Sequence, residues 1–278
     1  MKAAPFAYER PSSLDATIAL LAETNGAAKI MAGGQSLGPM LNLRLVQPDL
    51  IIDITGLSEL KQAGRDGDEL VIGACVTHGD IEDGRIPDVT EKAMQQVASG
   101  IAYRAVRNRG TIGGSLSHAD PAADWVSALP ALGAKVRLRS SAGHRDVAVE
   151  DFMTGALESA LQMNELVEAV RVPMMRPSAR WGYVKACRKP GEFAHAIAAV
   201  LIDPETATGR VVIGAIEAPP IVLRDASSLF GGTITGNFKQ EFVPSAADAL
   251  LIEAGVADAT DRHIHVAILR RAIDQAAA

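Results

Sequence analysis

The sequence holds only two cysteines, Cys75 and Cys187, far apart and outside any C-x-x-C pair. That excludes an iron–sulfur cluster built from this chain alone, and the lack of clustered histidines excludes a zinc site as well. Both cysteines lie in apolar, strand-like stretches and read as small buried hydrophobes without chemistry of their own. Positive charge is in deficit: 27 Lys and Arg stand against 33 Asp and Glu, a net charge of −6. Such a chain has no general attraction for nucleic acid or for an anionic membrane. No run approaches the ~20 apolar residues of a membrane span, and the first six residues lack the apolar centre of a signal peptide. The cytoplasm is the expected location. Catalytic constellations are missing too, with no G-x-x-x-x-G-K-[ST] phosphate loop, no G-x-S-x-G elbow and no recognisable carboxylate pair. No residue is therefore assigned a catalytic or metal-ligating role.

What the chain does have is a pair of similar glycine segments, Ala32-Gly33-Gly34-Gln35-Ser36-Leu37 and Thr111-Ile112-Gly113-Gly114-Ser115-Leu116, each after an apolar approach. Glycine, lacking Cβ, enters positive-φ backbone and lets a ligand come close, so successive N–H groups can converge on a pyrophosphate. The hydroxyls of Ser36 and Ser115 add neutral donors. With no lysine in either segment, transfer of a γ-phosphate is disfavoured and holding a dinucleotide fits better. A plain tight turn is the alternative for each segment taken alone.

At 278 residues the chain has the length of one large domain or two ordinary ones, and two are expected. Residues 1–55 read as a small β-α-β unit. In it Ser12 or Ser13 caps a helix over 14–22, a strand over 29–31 leads into the first glycine segment, and 50–54 is a buried strand. Residues 56–176 carry strands near 69–76, 135–139, 145–149 and 166–172, with helices near 88–99 and 121–129. Thr77 caps a short helix beginning at His78, and Asp120-Pro121 signals a helix start with Asp as cap and Pro at the first helical position. A polar, Pro-containing stretch over 174–179 marks a boundary. Beyond it, 177–278 gives strands over 180–188, 195–203 and 210–218, a three-stranded antiparallel sheet, then helices over 245–254 and 261–276.

The second glycine segment sits in a longer run, Arg104-Ala105-Val106-Arg107-Asn108-Arg109-Gly110-Thr111-Ile112-Gly113-Gly114-Ser115-Leu116-Ser117-His118-Ala119-Asp120-Pro121-Ala122-Ala123-Asp124. That run resembles the flavin-binding signature of the medium subunit of molybdenum hydroxylases, the family of carbon monoxide dehydrogenase and xanthine dehydrogenase. The resemblance extends in order over nearly the whole chain. It takes in the first glycine segment, Ile72-Gly73-Ala74-Cys75-Val76-Thr77-His78, the run itself, Asp151-Phe152-Met153-Thr154-Gly155 and Asn164-Glu165-Leu166-Val167. Beyond the boundary it continues in Tyr183-Val184-Lys185 and Gly191-Glu192-Phe193-Ala194. It implies an α+β chain, with a bipartite FAD-binding domain of the vanillyl-alcohol-oxidase (PCMH) type over 1–176 and a small C-terminal domain over 177–278. It further implies FAD in this chain, a small iron–sulfur subunit with [2Fe-2S] clusters, and a large subunit with a molybdopterin centre, assembled as a dimer of heterotrimers. Electrons would pass from the clusters through FAD to an external acceptor. The competing expectations are a stand-alone FAD-dependent oxidoreductase of the same fold and a nucleotide-binding scaffold without redox activity.

Carried over by position, Ala32, Gly33, Gly34, Gln35, Ser36 and Leu37, with Thr111, Ile112, Gly113, Gly114 and Ser115, match the family's cofactor turns. Asp124 matches an acidic residue that touches the cofactor. One turn into a helix after Pro121, it would accept hydrogen bonds from ribose or ribityl hydroxyls; its alternative is a charge that merely complements the helix N-terminus. Ile101 and Val167 fall where the family packs the flavin ring, and Lys185 where it has a lysine near the cofactor. Val167 replaces a more usual Leu. Phe193 stands where several members have Tyr near the flavin, so it can stack but donates no hydrogen bond. Neither glycine segment nor its flanks offers a His or Cys placed for attachment, and FAD is expected to be held non-covalently. Arg104, Arg107 and Arg109 read as positive potential for the phosphates, as a partner-facing patch, or as a solvated helix end. His78 and His118 read as proton handlers beside the flavin or as partners of a loop carbonyl.

Overall fold

The computed structural model describes residues 2–278. Near the N-terminus, β1 (Ala7–Glu9) and β2 (Ala28–Met31) both pair in parallel with β3 (Leu50–Asp53), which takes the centre of a three-stranded sheet. Parallel strands need crossovers, and α1 (Leu14–Glu23) and α2 (Leu37–Asn42) supply them. Ser13 caps α1, its Oγ accepting the Ala16 N–H at 3.1 Å. Leu21, Ala28, Ile52 and Ile54 form the core of this unit, completed by Leu57, Leu60 and Cys75 from the chain that follows.

The middle of the chain builds a five-stranded antiparallel sheet from β4 (Ala63–Asp66), β5 (Glu69–Gly73), β6 (Lys135–Ser140), β7 (Gly143–Ala148) and, after the hairpin β8 (Met153–Gly155) and β9 (Glu158–Ser159), β10 (Leu166–Pro173). Its order is β4-β5-β10-β6-β7, and β10 carries a register shift between Val167 and Ala169. The long excursion from β5 to β6 holds α3 (His78–Glu82), α4 (Ala93–Ser99), α5 (Arg104–Arg107), α6 (Ile112–His118) and α7 (Asp124–Ala131), and α8 (Val149–Phe152) follows β7. Ile112, Leu116, Trp125 and Leu129 from these helices meet Val136, Leu138 and Val170 of the sheet in one fully buried core. As expected, Thr77 caps α3, in a reciprocal capping box with Asp80. The start of α7 differs from the sequence reading. Asp120 turns its Oδ1 onto the Ala122 N–H at 2.9 Å, a local turn that leaves Pro121 outside the helix, and Asp124 becomes the first helical residue rather than one a turn inside.

After β10, β11 (Arg180–Ala186), β12 (Ala196–Asp203), β13 (Thr208–Gly214) and β14 (Ile221–Leu223) form an antiparallel sheet of four strands, not three. The extra strand is a short, half-buried edge. Three helices follow, α9 (Phe238–Glu241), α10 (Pro244–Glu253) and α11 (Ala259–Ala276). Strand β12 is buried on both faces: Ile197 and Ala199 enter the core shared with α7, while Ala198, Val200 and Ile202 enter the core that includes Leu269 and Ile273 of α11. The period of two along a strand thus divides β12 between two cores and fastens the C-terminal sheet to α7. No helix among the described residues is long and apolar enough to cross a membrane.

Candidate cofactor site

The first glycine segment leaves the end of β2 and turns into α2. Gly34 has φ +69°, a conformation that a side chain would resist. Its neighbour Gly33 is needed for a different reason: a Cβ there would stand 1.9 Å from the Arg109 carbonyl oxygen and 2.9 Å from Gly110 Cα. The first segment thus packs against the residues that lead into the second, and a Cβ on Gly114 would stand 3.8 Å from that of Ala32, so the two glycine segments, distant in sequence, are neighbours. The backbone N–H groups of Gly33, Gly34, Gln35, Ser36 and Leu37 take no acceptor among the described residues. Ser36, at the cap position of α2, makes no capping hydrogen bond, while Gln35 folds its Nε2 back onto the Gly33 carbonyl at 3.0 Å. A run of unpaired amides next to a free hydroxyl supplies the donors that an anion cradle uses.

The second segment is not a second cradle. Thr111 caps α6, its Oγ1 accepting the Gly114 N–H at 3.1 Å, and Gly113 and Gly114 lie in the helix without positive φ. The N–H groups of Ile112 and Gly113 donate to Val76 and Ala74 at 3.1 and 3.0 Å, and that of Ser115 to Thr111. With its amides engaged, this segment offers a smooth surface at exposed Gly114 and the half-buried Ser115 side chain. Gly113 is small for packing: a Cβ there would fall 2.5 Å from that of Ala74.

A buried polar cluster joins the start of α7 to the C-terminal sheet. Asp124, 8% exposed at the start of α7, accepts hydrogen bonds at Oδ1 from the Tyr183 hydroxyl at 2.7 Å and from Lys185 Nζ at 2.8 Å. Lys185 also donates to the Gly100 carbonyl at 2.7 Å. Oδ2 of Asp124 takes no donor among the described residues. Burial first, then the Asp124 charge, pushes the Tyr183 phenol well above its ordinary range, so it stays a donor. The sequence offers Tyr183 only as a neighbour of Lys185 in the matched stretch, with no role of its own. The signal that could have found it is its spacing from Lys185, since residues two apart on β11 share a face.

Next to Gly100, Ile101 packs half-buried against the core that includes Val167, itself 4% exposed. Arg107 fixes this stretch, donating from Nη1 to the Ile101 and Ala102 carbonyls at 2.9 and 3.0 Å. Arg107 and Arg104 also bind Glu82, and Arg104 binds Asp83, which cancels the positive potential that these arginines would lend a phosphate. Arg109 alone of the three has no ion-pair partner among the described residues, and it is exposed. Phe193 is 69% exposed, on a loop whose Gly191 backs onto the Ala102 carbonyl and the Tyr103 ring.

His78 serves the scaffold. Its N–H donates to the Gly110 carbonyl at 2.9 Å, and its Nδ1 accepts from Trp125 Nε1 at 3.1 Å. Burial, and then the nearby Arg107 charge, pushes its pKa down to about 4, so the ring is neutral at pH 7. Cys75 is buried with its thiol pushed up to about 12 by desolvation, and no group of side chains among the described residues has the make-up of a metal site.

An α+β chain with a row of free amides beside a second glycine segment and a buried, oriented carboxylate has the groups that binding a dinucleotide requires. A family profile described as "FAD binding domain in molybdopterin dehydrogenase" matches residues 4–175. The chain is 36% identical over 85% of its length to caffeine dehydrogenase subunit beta of Pseudomonas sp. (strain CBB1), covering 82% of that protein. It is 34% identical over 88% of its length to the carbon monoxide dehydrogenase medium chain of Hydrogenophaga pseudoflava, covering 86% of it. Among solved structures, a carbon monoxide dehydrogenase chain from Hydrogenophaga pseudoflava matches with TM-score 0.89 at 31% identity, over 99% of this chain and 98% of that one. Quinoline 2-oxidoreductase from Pseudomonas putida 86 matches with TM-score 0.85 at 32% identity, over 100% and 98%. The chain belongs to the FAD-binding subunits of the molybdenum hydroxylases, and is an oxidoreductase subunit with FAD as its cofactor.

Proposed function

We propose that this chain is the medium subunit of a heterotrimeric molybdenum hydroxylase and carries electrons out of the complex. Substrate is oxidised at a molybdopterin centre in a large subunit, and electrons pass through [2Fe-2S] clusters of a small subunit to this chain and on to an external acceptor. Bound FAD supplies the ability to take electrons one at a time and release them singly or as a pair. The observation that carries this reading is the row of unpaired amides over residues 33–37, which begins at Gly33 packed against Arg109 and Gly110, with no metal-binding group among the described residues.

In this reading the amides of Gly33, Gly34, Gln35, Ser36 and Leu37 and the Ser36 hydroxyl bind the pyrophosphate, with Ala32 setting the entry of the turn. Thr111, Ile112 and Gly113 hold the second wall, and Gly114 and Ser115 face the ligand across it. Asp124 accepts a ribose or ribityl hydroxyl, Lys185 holds that carboxylate, Ile101 and Val167 back the flavin ring, and Phe193 stacks from the open side. The bipartite FAD domain of PCMH type is 1–176, in parts 1–55 and 56–176, followed by the C-terminal domain 177–278. The complex is a cytoplasmic dimer of heterotrimers. Co-purification with partner subunits, metal analysis and a visible spectrum test the reading. It requires molybdenum, iron and FAD together, and a pure complex with FAD but neither metal would contradict it.

A further inference from the structure

The carboxylate of Asp124 has two oxygens and only one of them is engaged. Both donors, Tyr183 and Lys185, converge on Oδ1, and both come from β11 of the C-terminal sheet, whereas Asp124 opens α7 of the preceding unit. An acid in the first turn of a helix otherwise gains by turning toward its own free N–H groups, and α7 has no side-chain cap to compete for them. Here it is pulled away.

The two donors differ in kind. Lys185 brings charge on a flexible stem; the tyrosine ring brings direction. Tyr183 is itself held in place: its N–H donates to Gln275 Oε1 at 3.0 Å, its carbonyl accepts from Gln96 Nε2 at 3.4 Å, and its ring stacks on Trp181 at 2°. Helices α4 and α11 and strand β11 therefore all fix one hydroxyl against one carboxylate oxygen.

We infer that Tyr183 is a positioning residue for the cofactor: by holding Oδ1 of Asp124 it leaves Oδ2 as the oxygen presented to the cofactor's hydroxyl, so the C-terminal sheet helps set FAD affinity. This rests on the assignment of Asp124 to FAD above. Tyr183 acts through Asp124 and has no contact of its own to lose.

The test is a double-mutant cycle on the full-length, FAD-free chain, reading the FAD dissociation constant by flavin fluorescence for wild type, Tyr183→Phe, Asp124→Asn and the double variant. Loss of a charge-assisted hydrogen bond that orients a ligand group predicts about tenfold weaker FAD binding by Tyr183→Phe. In the Asp124→Asn background the same change has an effect of less than about twofold, because the two residues act as one unit. A merely structural tyrosine gives effects that multiply in the double variant, and that result overturns the inference, as does wild-type affinity in Tyr183→Phe. Thermal unfolding of each FAD-free variant separates misfolding from misplacement, and the cycle cancels any destabilisation common to both backgrounds. Wild-type affinity in Asp124→Asn would instead remove the assignment of Asp124 on which the inference stands, and both would fall.

Discussion

The carbonyl oxygen of Arg109 stands 1.9 Å from where a Cβ on residue 33 would have to go, so Gly33 is the point at which the first glycine segment locks against the residues that lead into the second. Gly33→Ala must displace backbone, not a flexible side chain. It therefore destabilises the FAD-free chain by about 1–3 kcal/mol, toward the upper end, and weakens FAD binding along with it. Thermal unfolding without FAD checks this. An unchanged melting temperature with FAD binding lost would show that Gly33 serves the ligand alone.

Thr111 gives the opposite pattern. Its hydroxyl caps α6 and its neighbours' amides already have partners, so Thr111→Val costs about 1 kcal/mol of stability with little change in FAD affinity. A collapse of FAD affinity at near-normal stability would restore the second segment as an anion cradle.

Arg107 and Arg104 share Glu82 but not their importance. Arg107 is largely buried and holds the Ile101 and Ala102 carbonyls, so Arg107→Met costs on the order of 1.5–3 kcal/mol. Arg104 is half exposed, and Arg104→Met costs less than about 1 kcal/mol. Equal losses in a melting comparison would show that Arg107's carbonyl contacts contribute nothing.

His78 makes stability depend on pH. Its folded pKa is about 4 against an ordinary value of 6.5, so between those values the unfolded chain binds more protons than the folded one. Stability from the neutral ring is complete above pH 6.5 and is lost as pH falls toward 4, a change of up to about 3 kcal/mol. His78→Gln should flatten the melting temperature against pH in that window. An unaltered slope would place the titration elsewhere.

Much of this fold was legible because its strands alternate or run apolar. The patterns at Leu166–Pro173 and Ala196–Asp203 are set by burial against helices, and burial selects residues that a reader can see. Strands that carry no such pattern include Ala7–Glu9, Ala63–Asp66 and Ile221–Leu223, short edges, exposed or half-buried, where backbone pairing demands little of the side chains, and the hairpin of Met153–Gly155 and Glu158–Ser159 is too short to show one. Asp120-Pro121 misled because an aspartate that can cap a helix can equally close a local turn, and Ala123 then precedes the helix unaided. Gly113-Gly114 looked like a turn, yet Thr111 and the close approach to Ala74 make it the first turn of α6. Tyr183 was hidden because its partner Asp124 lies 59 residues away, and the pairing exists only once β11 packs beside α7.

Electron exit through this chain is tested most directly on the complex with its iron–sulfur and molybdenum subunits, stripped of FAD, reduced by dithionite, desalted free of excess reductant and only then mixed with a dye acceptor. Reduction of the clusters should persist, transfer to the dye should fall to background, and added FAD should restore it in the wild-type complex. Dye reduction at an unchanged rate without FAD would contradict the role assigned to this subunit.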